Sequence, residues 1–296
     1  MDQKTVSLVL SSGGARGLAH IGAIEVLEEN GFQISSVAGC SMGALIAGVY
    51  AKGNLPQFKE WISNLDRVDV FSLMDFTIST SGFIKGEKVF QVIQALLGDC
   101  LIEDLPIPFA CNAVDIISGQ EKVFTEGSLF SAIRASAAIP TVIQPALIDN
   151  ISYIDGGILN PIPVELIKDN QATLRIASDV NGPQQCLVRQ KVLEEGSSRI
   201  AIPAWVNEYK AKVSKYLPRE KKAPKVKTLS FLDLMNLSMD MMQDRISDYI
   251  LEQHPVDVHV KISRKQCGTF EFYRAKEIIE IGREITIEAL QEKKLI

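Results

Sequence analysis

The first apolar run of the chain, TVSLVL at residues 5–10, is too short for a helix and runs straight into glycines, which predicts a buried strand. SSGGARG follows as a glycine-rich loop. Leu18, Ile21, Ile24 and Leu27 then recur at helical spacing, with Gly31 placed as a C-terminal stop. Phe32 to Ala38 reads as a second strand and Met42 to Lys52 as a second helix, ended by Gly53. Strand, loop, helix, strand, sharp turn, helix is the pattern of a parallel sheet with helices packed on its faces.

Further along, residues 54–100 read as mostly helical, with a loop at STSGFIKGE. PFACNAVDIISGQEKVFTEG predicts two strands joined by the turn SGQ, and SLFSAIRASA a helix stopped by Pro140. PALIDNISYIDGG predicts two short strands around Asp149-Asn150. Residues 162–169 read as helix, 172–179 as a buried strand, VDVHVKI as an alternating strand and 271–294 as a closing helix. Internal repeats are absent from the sequence.

Composition narrows the class without naming a chemistry. With 46% hydrophobic and 23% charged residues in 296, the chain is ordinary for a globular protein and long enough for a sizeable core. The formal net charge of -5 gives no general pull toward nucleic acid. Five scattered cysteines without a CxxC, and three dispersed histidines, suggest a reducing compartment, no disulfide framework and no metal site. The N-terminus carries no secretory pattern and no stretch approaches the roughly 20 apolar residues that cross a bilayer. The expected location is cytoplasmic, which admits peripheral contact with the inner face of a membrane.

One segment departs from this average. Glu208 to Lys227 holds seven lysines and one arginine against two glutamates, a net +6. Trp205, Tyr209, Val213 and Tyr216 fall at roughly helical spacing there, interleaved with Lys212 and Lys215. Two readings stand: a basic, partly helical lid or insertion at about 184–228 in an otherwise single domain of residues 1–296, or an interfacial helix meeting anionic head groups.

The chemistry lies in three short motifs. Gly39-Cys40-Ser41-Met42-Gly43 sits at a strand-to-helix turn, where a serine is forced into a strained backbone with its hydroxyl exposed and the flanking glycines relieve crowding. Ser12-Gly13-Gly14-Ala15-Arg16-Gly17 offers backbone N–H groups at a helix start, suited to a phosphate or an oxyanion. Ser12 breaks GxGxxG and no GxxxxGK[ST] is present, so an oxyanion loop beside a nucleophile is the economical reading. Arg16 either supplies charge nearby or locks the loop.

For the proton of Ser41 there are two kinds of acceptor. A triad would draw on His254 or His259, late in the chain, while His20 lies in the first helix. Asp155 ends an apolar strand and is followed by Gly156-Gly157, which leaves its carboxylate free of bulky neighbours. A carboxylate accepts a serine proton directly when the pair is in hydrogen-bond reach and the site is dry.

SSGGARG, LAHIGAIEVLEENG, GCSMG, RASAAIPTVIQP and IDGG, in that order over residues 5–180, resemble the patatin-like phospholipases, bacterial members similar to the neuropathy target esterase catalytic domain above all. The resemblance implies an α/β fold, a three-layer α/β/α sandwich with a mainly parallel central sheet. It implies a Ser41–Asp155 dyad with no catalytic histidine, metal or cofactor. It implies an oxyanion loop at Gly13, Gly14, Ala15 and Arg16, and hydrolysis of fatty-acyl esters of phospholipids or lysophospholipids. An acyltransferase using the same nucleophile, or a low-turnover lipid-sensing protein, would share these residues. One departure is Ser12, where the family has glycine; serine costs about 1–2 kcal/mol if that position needs a positive φ.

Overall fold

A computed structural model describes residues 4–182 and 231–296, save Asp75, Thr80, Ser81, Lys85, Thr141 and residues 168–171. The basic segment at 184–228, with Trp205, Tyr209, Lys212, Lys215 and Tyr216, lies outside the described residues. The chain divides into two compact units: Met1–Gln185 with Ser238–Ile296, and Cys186–Leu237. Everything below concerns the first.

In chain order it contains β1 (Thr5–Leu10), α1 (Ala19–Glu29), β2 (Gln33–Gly39), α2 (Met42–Ala51), α3 (Leu55–Ser63), α4 (Arg67–Leu73), β3 (Phe76–Ser79), β4 (Gly82–Ile84), α5 (Glu87–Leu97), β5 (Phe109–Asp115), β6 (Glu121–Phe124), α6 (Leu129–Ser136), β7 (Ala146–Ile148), β8 (Ile151–Asp155), β9 (Leu174–Gly182) and β10 (Val258–Ser263). A helix at Phe231–Gln253 precedes β10, and the helix Ala275–Glu292 follows it.

Eight strands form one sheet in the order β10-β9-β1-β2-β5-β8-β7, with β6 on β5. The pairs from β10 through β5 are parallel, while β6, β8 and β7 are antiparallel. Alternation along β1 explains the layering: Val6, Leu8 and Leu10 pack into the large core with α1, α2, α6 and the C-terminal helix. Val9 faces the other way, with Ala38, Ala110 and Ala177, onto Ile162, Val164 and the side chains Ile250 and Leu251. Small residues keep that second layer thin, and a buried Ser36 Oγ to Ser7 Oγ hydrogen bond of 2.9 Å runs across it. The result is a mixed α/β fold with a central sheet flanked by helices.

Three local readings need correction. STSGFIKGE is part of a β3–β4 hairpin, not a loop. At 162–169 a single 3-10 turn, Val164–Leu166, replaces the expected helix; Pro161 and Pro163 remove two N–H donors where a helix would start. The helix Phe231–Gln253 had no counterpart in the sequence reading, because its apolar residues are spread around the axis rather than gathered in one stripe. By contrast the Asp149-Asn150 turn has both residues at positive φ, 49° and 63°, the conformation that a two-residue hairpin turn of right-handed twist demands.

Candidate active site

The site forms where β1, β2 and β8 end. β2 stops at Gly39 and α2 starts at Met42, so the chain must reverse within Cys40 and Ser41. Ser41 does this at φ 56°, one of four non-glycine residues at positive φ among those described. That backbone costs about 1–3 kcal/mol unless its surroundings over-determine it. Here they do. The Ser41 N–H donates to Ser136 Oγ at 2.9 Å. A Cβ on Gly39 would lie 2.4 Å from the Gly43 carbonyl, and one on Gly43 would lie 2.2 Å from the Leu10 carbonyl oxygen. The elbow is pressed against both strands, and only glycine fits on either side.

Ser41 and Asp155 are brought together. Ser41 Oγ donates to Asp155 Oδ2 at 2.5 Å. Both are nearly excluded from solvent, at 4% and 6% exposure. Asp155 Oδ1 accepts from the Gly157 N–H at 2.8 Å and from the Cys40 thiol at 3.8 Å. Burial raises the Asp155 carboxyl to about 6, and the hydrogen bonds from Ser41, Gly157 and Cys40 hold it from rising further. Cys40 is a poor nucleophile: burial first, then the charge of Asp155, pushes its thiol well above the ordinary range.

The histidines are engaged elsewhere. His20 is fully buried, with Nδ1 2.8 Å from Ser178 Oγ and Nε2 3.0 Å from the Ser11 carbonyl, and burial lowers it to about 4. His259 Nε2 lies 3.3 Å from Asp179 Oδ2, and His254 is exposed. Ser41 therefore meets a carboxylate and no imidazole.

The glycine loop is more selective than its sequence implied. Ser12 N–H donates to the Pro161 carbonyl at 2.8 Å, and Ala15 N–H to the Thr269 carbonyl at 2.9 Å. Arg16 lies inside the 3-10 turn Gly14–Leu18, and its guanidinium donates to Asn181 Oδ1 at 3.2 Å. Burial lowers this guanidinium below its ordinary value. Of the four loop residues expected to hold an oxyanion, Gly13 and Gly14 are the two whose N–H groups donate to no acceptor among the described residues, as is Met42 at the start of α2. Ser12 is not among the residues at positive φ, so serine there carries no strain.

Sequence reasoning missed the supports. Ser136, in α6, fixes the Ser41 backbone. Asn112, a polar residue in the apolar strand FACNAVD, donates to Glu121 Oε1 at 2.8 Å and to the Asn160 carbonyl at 3.0 Å, beneath the Asp155-Gly156 turn. Gln243 donates to the Gly157 carbonyl at 2.8 Å. None sits in a motif. The only signal was polarity at positions where burial was expected.

Above Ser41 opens a cavity of about 120 Å³ lined by apolar side chains, among them Leu45, Phe58, Trp61, Val70, Leu73, Phe90, Ile139 and Ile143. Gly14, Ser41 and Met42 also line it. The nucleophile candidate, the open N–H groups and an apolar channel thus converge. No group of three or more His, Cys, Asp or Glu side chains able to hold a metal occurs among the described residues. No described helix is long and apolar enough to cross a membrane.

The family model described as patatin-like phospholipase matches residues 8–167. An uncharacterized NTE family protein of Mycobacterium tuberculosis is 32% identical over 338 residues, covering 97% of this chain and 91% of its own. Lysophospholipase NTE1 of Pyricularia oryzae is 27% identical over 294 residues, which cover 98% of this chain and 18% of that protein. Among solved structures, VipD from Legionella pneumophila covers 99% of this chain and 67% of its own, at 12% identity and a TM-score of 0.47.

Proposed function

The chain belongs to the patatin-like phospholipase family, and from that premise we propose that it is a serine acyl hydrolase that cleaves fatty-acyl esters of phospholipids or lysophospholipids through Ser41 and Asp155. The observation that carries this is the 2.5 Å Ser41 Oγ–Asp155 Oδ2 hydrogen bond at the floor of an apolar cavity.

Asp155 takes the Ser41 proton on Oδ2 as Oγ attacks the ester carbonyl. The N–H groups of Gly13, Gly14 and Met42 are the donors available to the developing oxyanion, each worth about 3–4 kcal/mol of barrier when well aimed. The alcohol then leaves with the proton from Asp155, and the acyl group stays on Ser41 with its chain in the cavity. Water, deprotonated by Asp155, releases the fatty acid.

The test is direct. Purified protein is expected to release fatty acid from lysophosphatidylcholine, and a fluorophosphonate probe is expected to attach to the peptide that contains Ser41. A label that forms only on other residues, or no label with no fatty acid, sinks the proposal.

The acid limb of the pH profile follows from Asp155. Only its ionised form accepts a proton, and its carboxyl titrates at about 6. The kcat/KM for a soluble short-chain ester is therefore expected to rise tenfold per pH unit at low pH and to level off above a midpoint near 6. A limb centred on the ordinary carboxylate range would show that Asp155 is solvated or is not the base.

A further inference from the structure

We propose that α4 is the surface by which the protein docks on a lipid bilayer, with Val68 and Phe71 entering the interface. The inference builds on the proposed hydrolase reading, but its key measurement does not require turnover.

α4 has apolar residues on every side, which a surface helix of a soluble protein ordinarily avoids. Val70, Leu73 and Met74 turn inward and line the cavity above Ser41. On the outer side Val68 is 74% and Phe71 66% exposed, three residues apart and so on one face. Phe270 bridges the two environments: it lines the cavity and is itself 39% exposed.

The helix is held so that these side chains face out. Asp66 caps it, accepting from Val68 N–H at 2.7 Å and Asp69 N–H at 2.8 Å, while Asp69 accepts from Asp66 N–H at 3.0 Å. Arg67 stacks on the Tyr273 ring, 4.6 Å from its centroid. The apolar face is thus a fixed rim continuous with the acyl cavity. A water-insoluble acyl chain leaving a bilayer for Ser41 crosses that rim, and this continuity identifies the occupant.

Charge then says which bilayer. The ionisable side chains on α4, at its cap and at the start of α5 are Asp66, Asp69 and Glu87 against Arg67 and Lys88, so the rim offers anionic lipid no net attraction. Docking here is by apolar insertion.

The test uses the full chain carrying Ser41→Ala, so that lipid is bound and not consumed. Flotation with vesicles of pure phosphatidylcholine is expected to carry the protein, and adding phosphatidylglycerol to change little. Val68→Ser with Phe71→Ser is expected to lower the bound fraction roughly tenfold or more. In the otherwise native chain, the same pair is expected to slow hydrolysis of vesicle-borne lipid by a similar factor and to leave hydrolysis of a soluble short-chain ester within about twofold, since neither side chain lines the cavity. Binding that ignores the two substitutions, or that appears only with anionic lipid, overturns the proposal. So does a concentration-dependent dimer that the substitutions abolish without any vesicle binding. Loss of soluble-ester activity in the native chain would instead count against the hydrolase reading, and the two failures are therefore distinct.

Discussion

Replacing Asp155 with asparagine should lower turnover by about 10³- to 10⁴-fold while leaving the protein at least as stable at neutral pH. The first half follows from proton bookkeeping. Asparagine matches aspartate in shape, and its Oδ1 still accepts the Gly157 N–H. Its Nδ2 then faces Ser41 Oγ, where it donates a hydrogen bond instead of accepting one, so the attacking hydroxyl keeps its proton. The fluorophosphonate reaction should slow in parallel, since it draws on the same deprotonation.

The second half follows from linkage. The folded state lifts the Asp155 carboxyl from 3.8 to about 6, so the native protein binds this proton more tightly than the unfolded chain. Stability from this group therefore falls as pH rises between those two values, and the deficit persists above them. At neutral pH it amounts to about 3 kcal/mol, at roughly 1.4 kcal/mol per pK unit. Asparagine carries no such deficit. The variant is expected to melt a few degrees above the native protein at pH 7, with the difference shrinking toward pH 4. Calorimetry at the two pH values, beside the rate, checks both halves. An inactive variant that is also strongly destabilised at pH 7 would mean the carboxylate is needed for the fold, and the argument from buried charge would fail.

What could be read in the sequence was what the backbone imposes locally. Glycines at 39 and 43 are visible because no side chain fits there, and that absence is written in the residue type. Asp149-Asn150 is visible because these residues tolerate the positive φ the turn needs. Asp155-Gly156-Gly157 is visible for a similar reason: a Cβ on Gly156 would lie 2.5 Å from the Asn112 carbonyl oxygen. What could not be read was partnership across the chain. Ser136 is 95 positions from Ser41, and Gln243 is 86 from Gly157. Neither spacing nor residue type announces which distant polar atom a serine or glutamine will meet. The Ala15 N–H shows the same limit, since its capture by Thr269 depends on where the segment after β10 lies. The glycine-rich loop announced a set of donors, and tertiary packing chose among them.

Gly43→Ala is the substitution expected to damage the fold most. The added methyl would lie 2.2 Å from the Leu10 carbonyl oxygen, 2.6 Å from the Leu10 carbonyl carbon and 2.6 Å from the Ser11 carbonyl oxygen. All three are backbone atoms of the central strand and its exit, so no side chain can swing aside. Relief requires α2 to move off β1, which drags the Ser41 hydroxyl from Asp155 and the Met42 N–H from the oxyanion position. Overpacking a rigid core costs about 1–3 kcal/mol and more where backbone must shift; here a loss of about 3 kcal/mol or greater is expected, with turnover falling well beyond what the unfolded fraction explains. Gly31→Ala supplies the comparison. Gly31 has φ 78° but nothing within 4 Å of the added methyl, so only the left-handed backbone penalty of about 1–2 kcal/mol applies, and activity should be retained. Denaturant melts of the two variants separate crowding from backbone strain. Equal melting points would show that the elbow has room to give, and that the close approach of α2 to β1 does not hold Ser41 in place.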